Sequence, residues 1–310
     1  MNEPQSPSAP WSAYGVTIEA PRIEGALTFH HISLSPTEGT GLRDILTPEH
    51  LAGVVLAVGF VSDQGVEVIG SAVMVAPAIA MTANHNLADR LRAVMASDQI
   101  PHCLAVGSYG LELWDIKTIS PVPDSDVALM GLIPRFKLPE DKRLFQMQMT
   151  TRFPRLGERV EVFGYRATEQ AFPIDGASST AVMHCYVSSG VVSAIYQGGR
   201  DRVMMPWPCF EVDCPTPGGM SGGPVCDESG HLIGLLSTSV GGEVSGPSYA
   251  SMITRAFVTR FNSAWPTGFL EPQRCLMEIN PLLRTIHGED ALTIVESRED
   301  GIVYRHSPWS

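Results

Sequence analysis

An all-β fold with more than one compact lobe is what this sequence predicts, and three observations predict it. The chain has 310 residues, enough for two hydrophobic cores. Its apolar residues gather in runs of strand length: 54–61, 66–75, 159–164, 188–196 and 232–237. Between these runs, 29 glycines and 24 prolines punctuate the chain. That pattern belongs to sandwiches and barrels rather than to parallel sheets alternating with helices.

Taken in order, residues 1–12 hold Pro, Ser and Glu without periodicity and read as a loose tail. Residues 13–50 complete an N-terminal extension that packs back on the lobes or covers part of the cleft between them. Two apolar runs then flank Pro77, and the second ends in Thr82-Ala83-Asn84-His85. This is a hairpin of buried strands that delivers His85 to the start of a short helical turn. Farther on, Asp124-Ser125-Asp126 stands directly before the apolar run Val127–Ile133. An aspartate at a strand entrance can be buried there and bond one imidazole nitrogen, which leaves the other free to accept a proton. The polar stretch 134–151 reads as the crossover between lobes.

The third candidate is Gly219-Met220-Ser221-Gly222-Gly223-Pro224, ahead of the buried run 231–236. Glycines let the backbone turn sharply, so successive N–H groups can face one small cavity beside the serine oxygen. Such groups would hold the negative oxygen formed when a carbonyl is attacked. Taken singly, a histidine after a strand, an aspartate before one and a serine in a glycine turn are ordinary structural residues.

Together and in this order, Thr82–His85, Asp126-Val127-Ala128-Leu129 and Gly219–Pro224 resemble the trypsin-like, chymotrypsin-fold serine peptidases, in their bacterial non-zymogen branch. The resemblance runs from about Leu51 to Phe257. It implies two six-stranded antiparallel β-barrels with the active site in the cleft between them, followed by a C-terminal helix and extension. The implied division is 1–50 for the N-terminal extension, 51–137 for the first barrel with His85 and Asp126, 138–257 for the second with Ser221, and 258–310 for the C-terminal extension. The closing helix is expected between Ile253 and Trp265.

The resemblance also implies roles. Ser221 is the nucleophile, His85 the general base and acid, and Asp126 the residue that orients His85. The N–H groups of Gly219 and Ser221 form the oxyanion hole. Pro215 lies at the floor of the substrate pocket, with Thr216, Ser237, Ser239 and Pro247 around it. No acid falls at the floor position, so a small or medium uncharged side chain is expected before the cut, although Asp213 or Glu243 reaching in would favour a basic one. Met220 stands where many secreted relatives carry an acid that pairs with a new amino terminus. Methionine cannot form that pair, so no N-terminal cleavage is expected and other packing must shape the turn.

A protein or peptide substrate follows from this reading, and an activating partner fits it. Two other readings share the motifs: a catalytically idle binding module on the same fold, and an esterase on the same scaffold.

No cofactor is called for, and no Cys-x-x-Cys or compact Cys/His cluster suggests a metal. The pair His30-His31 reads as a solvated or packed pair. Net charge is −12, which speaks against nucleic acid as a partner, and Arg152-Phe153-Pro154-Arg155 is too short to make a basic face. The start of the chain lacks the basic opening and apolar run of a secretory signal, and no apolar stretch reaches membrane-spanning length. A cytoplasmic protein without membrane contact is therefore expected. Six cysteines do not sit where secreted relatives pair theirs, and Asn86 occupies a position where a cysteine often follows the histidine. Reduced thiols are the expectation, with Cys209–Cys226 or Cys214–Cys226 pairing left open.

Overall fold

A computed structural model describes residues 11–19, 26–62, 65–88, 101–107, 110–136, 138, 143–166, 184–240, 246–298 and 301–307. Two closed barrels account for most of the strands. In the N-terminal extension lie β1 (Trp11–Glu19), β2 (Ala26–Leu34) and β3 (Gly41–Asp44). The first barrel joins β4 (Val55–Ser62), β5 (Gly65–Ala76), β6 (Ile79–Ala83), β7 (Pro101–Gly107), β8 (Gly110–Pro121) and β9 (Val127–Pro134) in the order β4-β5-β6-β9-β8-β7. Its neighbours all pair antiparallel. Closure removes both sheet edges, so every strand here is fully paired.

Next come β10 (Arg143–Met147) and β11 (Met149–Thr150) in the stretch read as a crossover. The second barrel uses β12 (Arg159–Tyr165), β13 (Cys185–Tyr196), β14 (Cys209–Val212), β15 (Pro224–Cys226), β16 (Leu232–Ser239) and β17 (Ser248–Met252). Its ring runs β12-β13-β14-β17-β16-β15 and back to β12, again antiparallel throughout. The short β15 closes it, pairing with β12 on one side and β16 on the other.

The extensions are built into this frame. Residues Trp11 and Ser12, read as tail, belong to β1; the rest of that tail, 1–10, lies outside the described residues. β2 pairs with β1 and runs parallel to β10, while β3 adds to β13. Leu27, Phe29, Ile32 and Leu34 of β2 are buried in the main core. The crossover is therefore two parallel-paired strands rather than a loop, because β2 and β16 offer it free backbone groups. Pro139–Lys142 of that stretch lie outside the described residues.

The closing helix is also displaced from its expected position. Thr254–Val258 makes only a 3-10 turn, with no side chain capping its start, and Pro266 follows close behind. The α-helix is Leu276–Leu283, where Glu278 accepts from the backbone N–H of Cys275 at 3.1 Å and Leu276, Ile279 and Leu283 face the core. Beyond it, β18 (Ile286–His287) pairs with β11, and β19 (Leu292–Arg298) forms a hairpin with β20 (Gly301–His306). Among the described residues no helix is long and apolar enough to cross a membrane. All six cysteines are buried free thiols, which leaves neither candidate disulfide formed.

Two buried ionisable groups give the fold a pH signature. Glu112 on β8 lies over Gly53 and Gly107 among Phe29, Trp114 and Leu144, and burial pushes its pKa up to about 7; the Trp114 indole N–H, at 3.3 Å, partly opposes this. The carboxyl is thus neutral in the folded state where the unfolded chain has already ionised it. Between about pH 4.5 and 7, rising pH costs stability through Glu112. His31 on β2, packed rather than solvated, runs the other way. Burial, then repulsion from His287 and His30, lowers its pKa to about 4, so it adds stability as pH rises from about 4 to 6.5. Glu112→Gln keeps the shape and removes the titration. Its stability relative to wild type is expected to climb from pH 4.5 to 7.5, by up to about 3 kcal/mol, with the melting temperature following. A pH-independent difference in calorimetry would contradict this.

Candidate active site

The hairpin β5–β6 ends at Ala83, and a helical turn opens at His85 with Ala88 N–H donating to the Asn84 carbonyl at 2.9 Å. The Asn84 N–H in turn bonds the Asp126 carbonyl at 2.9 Å, which pins the histidine turn to the start of β9. Asp126 is 5% exposed, and its carboxylate accepts three hydrogen bonds. Its Oδ1 takes the His85 backbone N–H at 3.0 Å, while its Oδ2 takes His85 Nδ1 at 2.7 Å and the Ser237 hydroxyl at 2.9 Å. A carboxylate can only accept, so Nδ1 is the donor in this pair, and in the neutral tautomer that bond selects, the lone pair sits on Nε2.

Ser237, read from sequence as a pocket wall, is buried and turned toward Asp126. Its hydroxyl also lies 2.7 Å from the Ser251 hydroxyl. Each hydroxyl has one proton, and that of Ser237 goes to Asp126, so Ser251 donates to Ser237. The Ser237 carbonyl meanwhile accepts the Ser221 hydroxyl at 3.0 Å. Through Ser237 the structure joins His85, Asp126 and Ser221, from two barrels, in one hydrogen-bonded group. Among the described residues the Ser221 hydroxyl makes no bond to His85.

Ser221 sits where two turns meet. Met220 N–H bonds the Pro217 carbonyl at 3.3 Å with Gly219 at φ 95°, and Gly223 N–H bonds the Met220 carbonyl at 2.9 Å with Gly222 at φ 86°. Positive φ at the third residue alone marks each as a type II turn, which only glycine enters freely. Types I and II differ by a flip of the central peptide, and in the first turn that peptide carries the Gly219 N–H. The N–H groups of Met220, Gly222 and Gly223 are all donated, to Pro217, Leu236 and Met220. Among the described residues, those of Gly219 and Ser221 are donated to nothing. Met220 itself is fully buried in the second core, so packing anchors the turn.

The candidate pocket residues adjoin one another. The Thr216 hydroxyl lies 2.8 Å from that of Ser248, and the Ser239 hydroxyl donates to the Thr216 carbonyl at 3.1 Å. Pro215 is half-buried, its carbonyl accepting the Ser188 hydroxyl at 2.6 Å. The Pro247 carbonyl accepts the Val240 N–H at 3.0 Å. Asp213 is exposed, and Glu243 lies outside the described residues. Among the described residues, no three His, Cys, Asp or Glu side chains gather as a metal site would require.

The sequence profile of the trypsin-like peptidase domain matches residues 70–235, just over half the chain. The chain belongs to the trypsin-like peptidase family. No curated protein matches it in sequence. Among solved structures it is similar to the MamO protease domain from Magnetospirillum magneticum in its apo form, at 16% identity over 65% of this chain and 93% of that one, with a TM-score of 0.47. It is likewise similar to Deg5, at 18% identity over 64% and 83%, with a TM-score of 0.44. The HtrA-type protease AlgW with a tripeptide is similar at 19% identity over 65% and 56%, with a TM-score of 0.42. Within the trypsin-like peptidase frame, sequence reasoning missed Ser251 and the bonding role of Ser237; the only sequence signal was a serine closing the apolar run Leu232–Leu236.

Proposed function

We propose that this trypsin-like peptidase is a serine endopeptidase that cuts protein or peptide substrates through an acyl-enzyme. One observation carries the reading. In the turns flanking Ser221, the N–H groups of Gly219 and Ser221 are donated to nothing among the described residues while their neighbours are spent. In the proposed reaction the Ser221 oxygen attacks the scissile carbonyl carbon and its proton passes to His85 Nε2. Asp126 Oδ2, already bonded to Nδ1, stabilises the imidazolium. The carbonyl oxygen becomes an anion between the two free N–H groups, each worth about 3–4 kcal/mol in such sites. His85 then protonates the leaving amine, and water clears the acyl group by the same steps in reverse.

The bonds from Ser239 to Thr216 and from Thr216 to Ser248 stitch the pocket walls together. They support a shallow pocket and a small uncharged residue before the cut. Cleavage of a peptide library, read by mass, is expected after Ala, Ser or Val at least about ten-fold faster than after Lys, Arg or Phe. Ser239→Gly is expected to widen that preference toward larger residues. Cutting after Lys or Arg would refute the pocket, and equal cutting by Ser221→Ala would refute the nucleophile.

One observation favours a second reading, a latent or idle form: the Ser221 hydroxyl bonded to the Ser237 carbonyl rather than to His85. A single neutral hydrogen bond is worth about 1 kcal/mol net, too little to hold the serine away from a bound substrate. Six free thiols support a reducing compartment such as the cytoplasm as its site of action.

A further inference from the structure

The turns around Ser221 belong to the second barrel, yet two of their carbonyls are held by the first. Ser71, on β5 and fully buried, donates its N–H to the Ser221 carbonyl at 2.7 Å. Its hydroxyl donates to the Gly219 carbonyl at 2.8 Å while accepting the Tyr165 N–H at 2.8 Å. Asn86, next to His85, donates its side-chain amide to the Ser221 carbonyl at 2.8 Å and to the Thr82 hydroxyl at 3.2 Å. Thr82 completes the loop by donating to the Ser71 carbonyl at 2.7 Å. Gly70 makes room for this: a Cβ there would stand 2.3 Å from the Asn86 amide nitrogen.

We propose that Ser71 and Asn86 are positioning residues that hold the oxyanion-binding turns in working order, the task given elsewhere to an acid at the Met220 position. The inference rests on the serine peptidase reading. Its physical basis is the glycine content of the turn. Four glycines, 218, 219, 222 and 223, give this segment many accessible conformations, and freedom of that kind must be restrained from outside. Fixing the Gly219 carbonyl fixes the peptide that follows it. Fixing the Ser221 carbonyl fixes the peptide beyond. The Ser221 N–H lies between these two anchors, and the Gly219 N–H lies in the closed turn just before the first. A proenzyme cut is then unnecessary, because the donors come from within the folded chain.

The test compares wild type with Asn86→Ala, Asn86→Asp and Ser71→Ala. Asn86→Asp is the sharpest, since it keeps the shape and sets a carboxylate oxygen against the Ser221 carbonyl. The expected result for an ester substrate is a kcat 10- to 100-fold lower with KM changed less than two-fold, roughly the loss of part of one oxyanion donor. Hydrogen exchange of the Gly222 and Gly223 amides is expected to quicken about ten-fold or more in the variants, with other barrel amides unchanged. Unchanged kcat together with unchanged exchange would overturn the proposal. If wild type shows no esterase activity, the peptidase reading fails. The exchange measurement still decides whether Ser71 and Asn86 hold the turn.

Discussion

Asp126→Asn is expected to lower kcat about 10⁴-fold, the scale of this change in enzymes with a Ser-His-Asp triad, while leaving the fold intact. The reason lies in what the carboxylate accepts. Oδ2 faces two donors, His85 Nδ1 at 2.7 Å and the Ser237 hydroxyl at 2.9 Å, and Oδ1 faces the His85 backbone N–H at 3.0 Å. An asparagine must turn its NH₂ toward one of these sites. Toward the backbone N–H it meets a donor that cannot move. Toward Nδ1 it forces that nitrogen to become the acceptor, and the proton shifts to Nε2. A histidine with its proton on Nε2 cannot take another from Ser221. Steady-state kinetics on a small ester, with a melting temperature within a few degrees of wild type, would check this. A loss below about ten-fold would remove Asp126 from the mechanism.

Gly222→Ala is expected to destabilise the protein by more than about 3 kcal/mol. The added Cβ would stand 2.1 Å from the Ser71 carbonyl oxygen, 2.4 Å from the Thr82 hydroxyl and 2.8 Å from the Ala83 nitrogen. Two of these atoms are backbone of the first barrel, so relief requires the barrels to separate. The positive φ of 86° adds about 1–2 kcal/mol for a residue with a side chain. Gly218→Ala is the control. It is exposed, its Cβ meets nothing within 4 Å, and its φ is ordinary. Its effect on stability is expected to stay within about 0.5 kcal/mol. Urea unfolding of both variants would check the contrast, and similar midpoints would contradict the close approach of the barrels at Gly222.

Much of this arrangement was legible in the residues. Runs such as Val54–Val61 and Leu232–Ser237 became β4 and β16 because barrel strands buried on both sides are nearly continuous in apolar residues. The places of His85 and Asp126 were legible because each stands beside such a run, next to β6 and β9, whereas Ser221 was legible from its glycine turn. The parallel strands β10 and β11 were not. Their partners β2, β16 and β18 are distant in sequence, and the charged run 139–143 just ahead of them reads as a connection, although Gln146-Met147-Gln148-Met149 alternates as a strand does. Ser237 was read by its place along the pocket wall, whereas the alternation of β16 turns its side chain inward to Asp126. Ser71 and Asn86 act across the barrel junction, on carbonyls that carry no side-chain signature. The helix between Ile253 and Trp265 failed locally, at an uncapped start.

The central claim is an activated Ser221. It is tested most directly by exposing the intact protein and Ser221→Ala to a fluorophosphonate probe and weighing both. One adduct on the full-length wild-type chain, and none on the variant, is the predicted result. Folded wild-type protein that gains no mass, or a variant that gains as much as wild type, would contradict it.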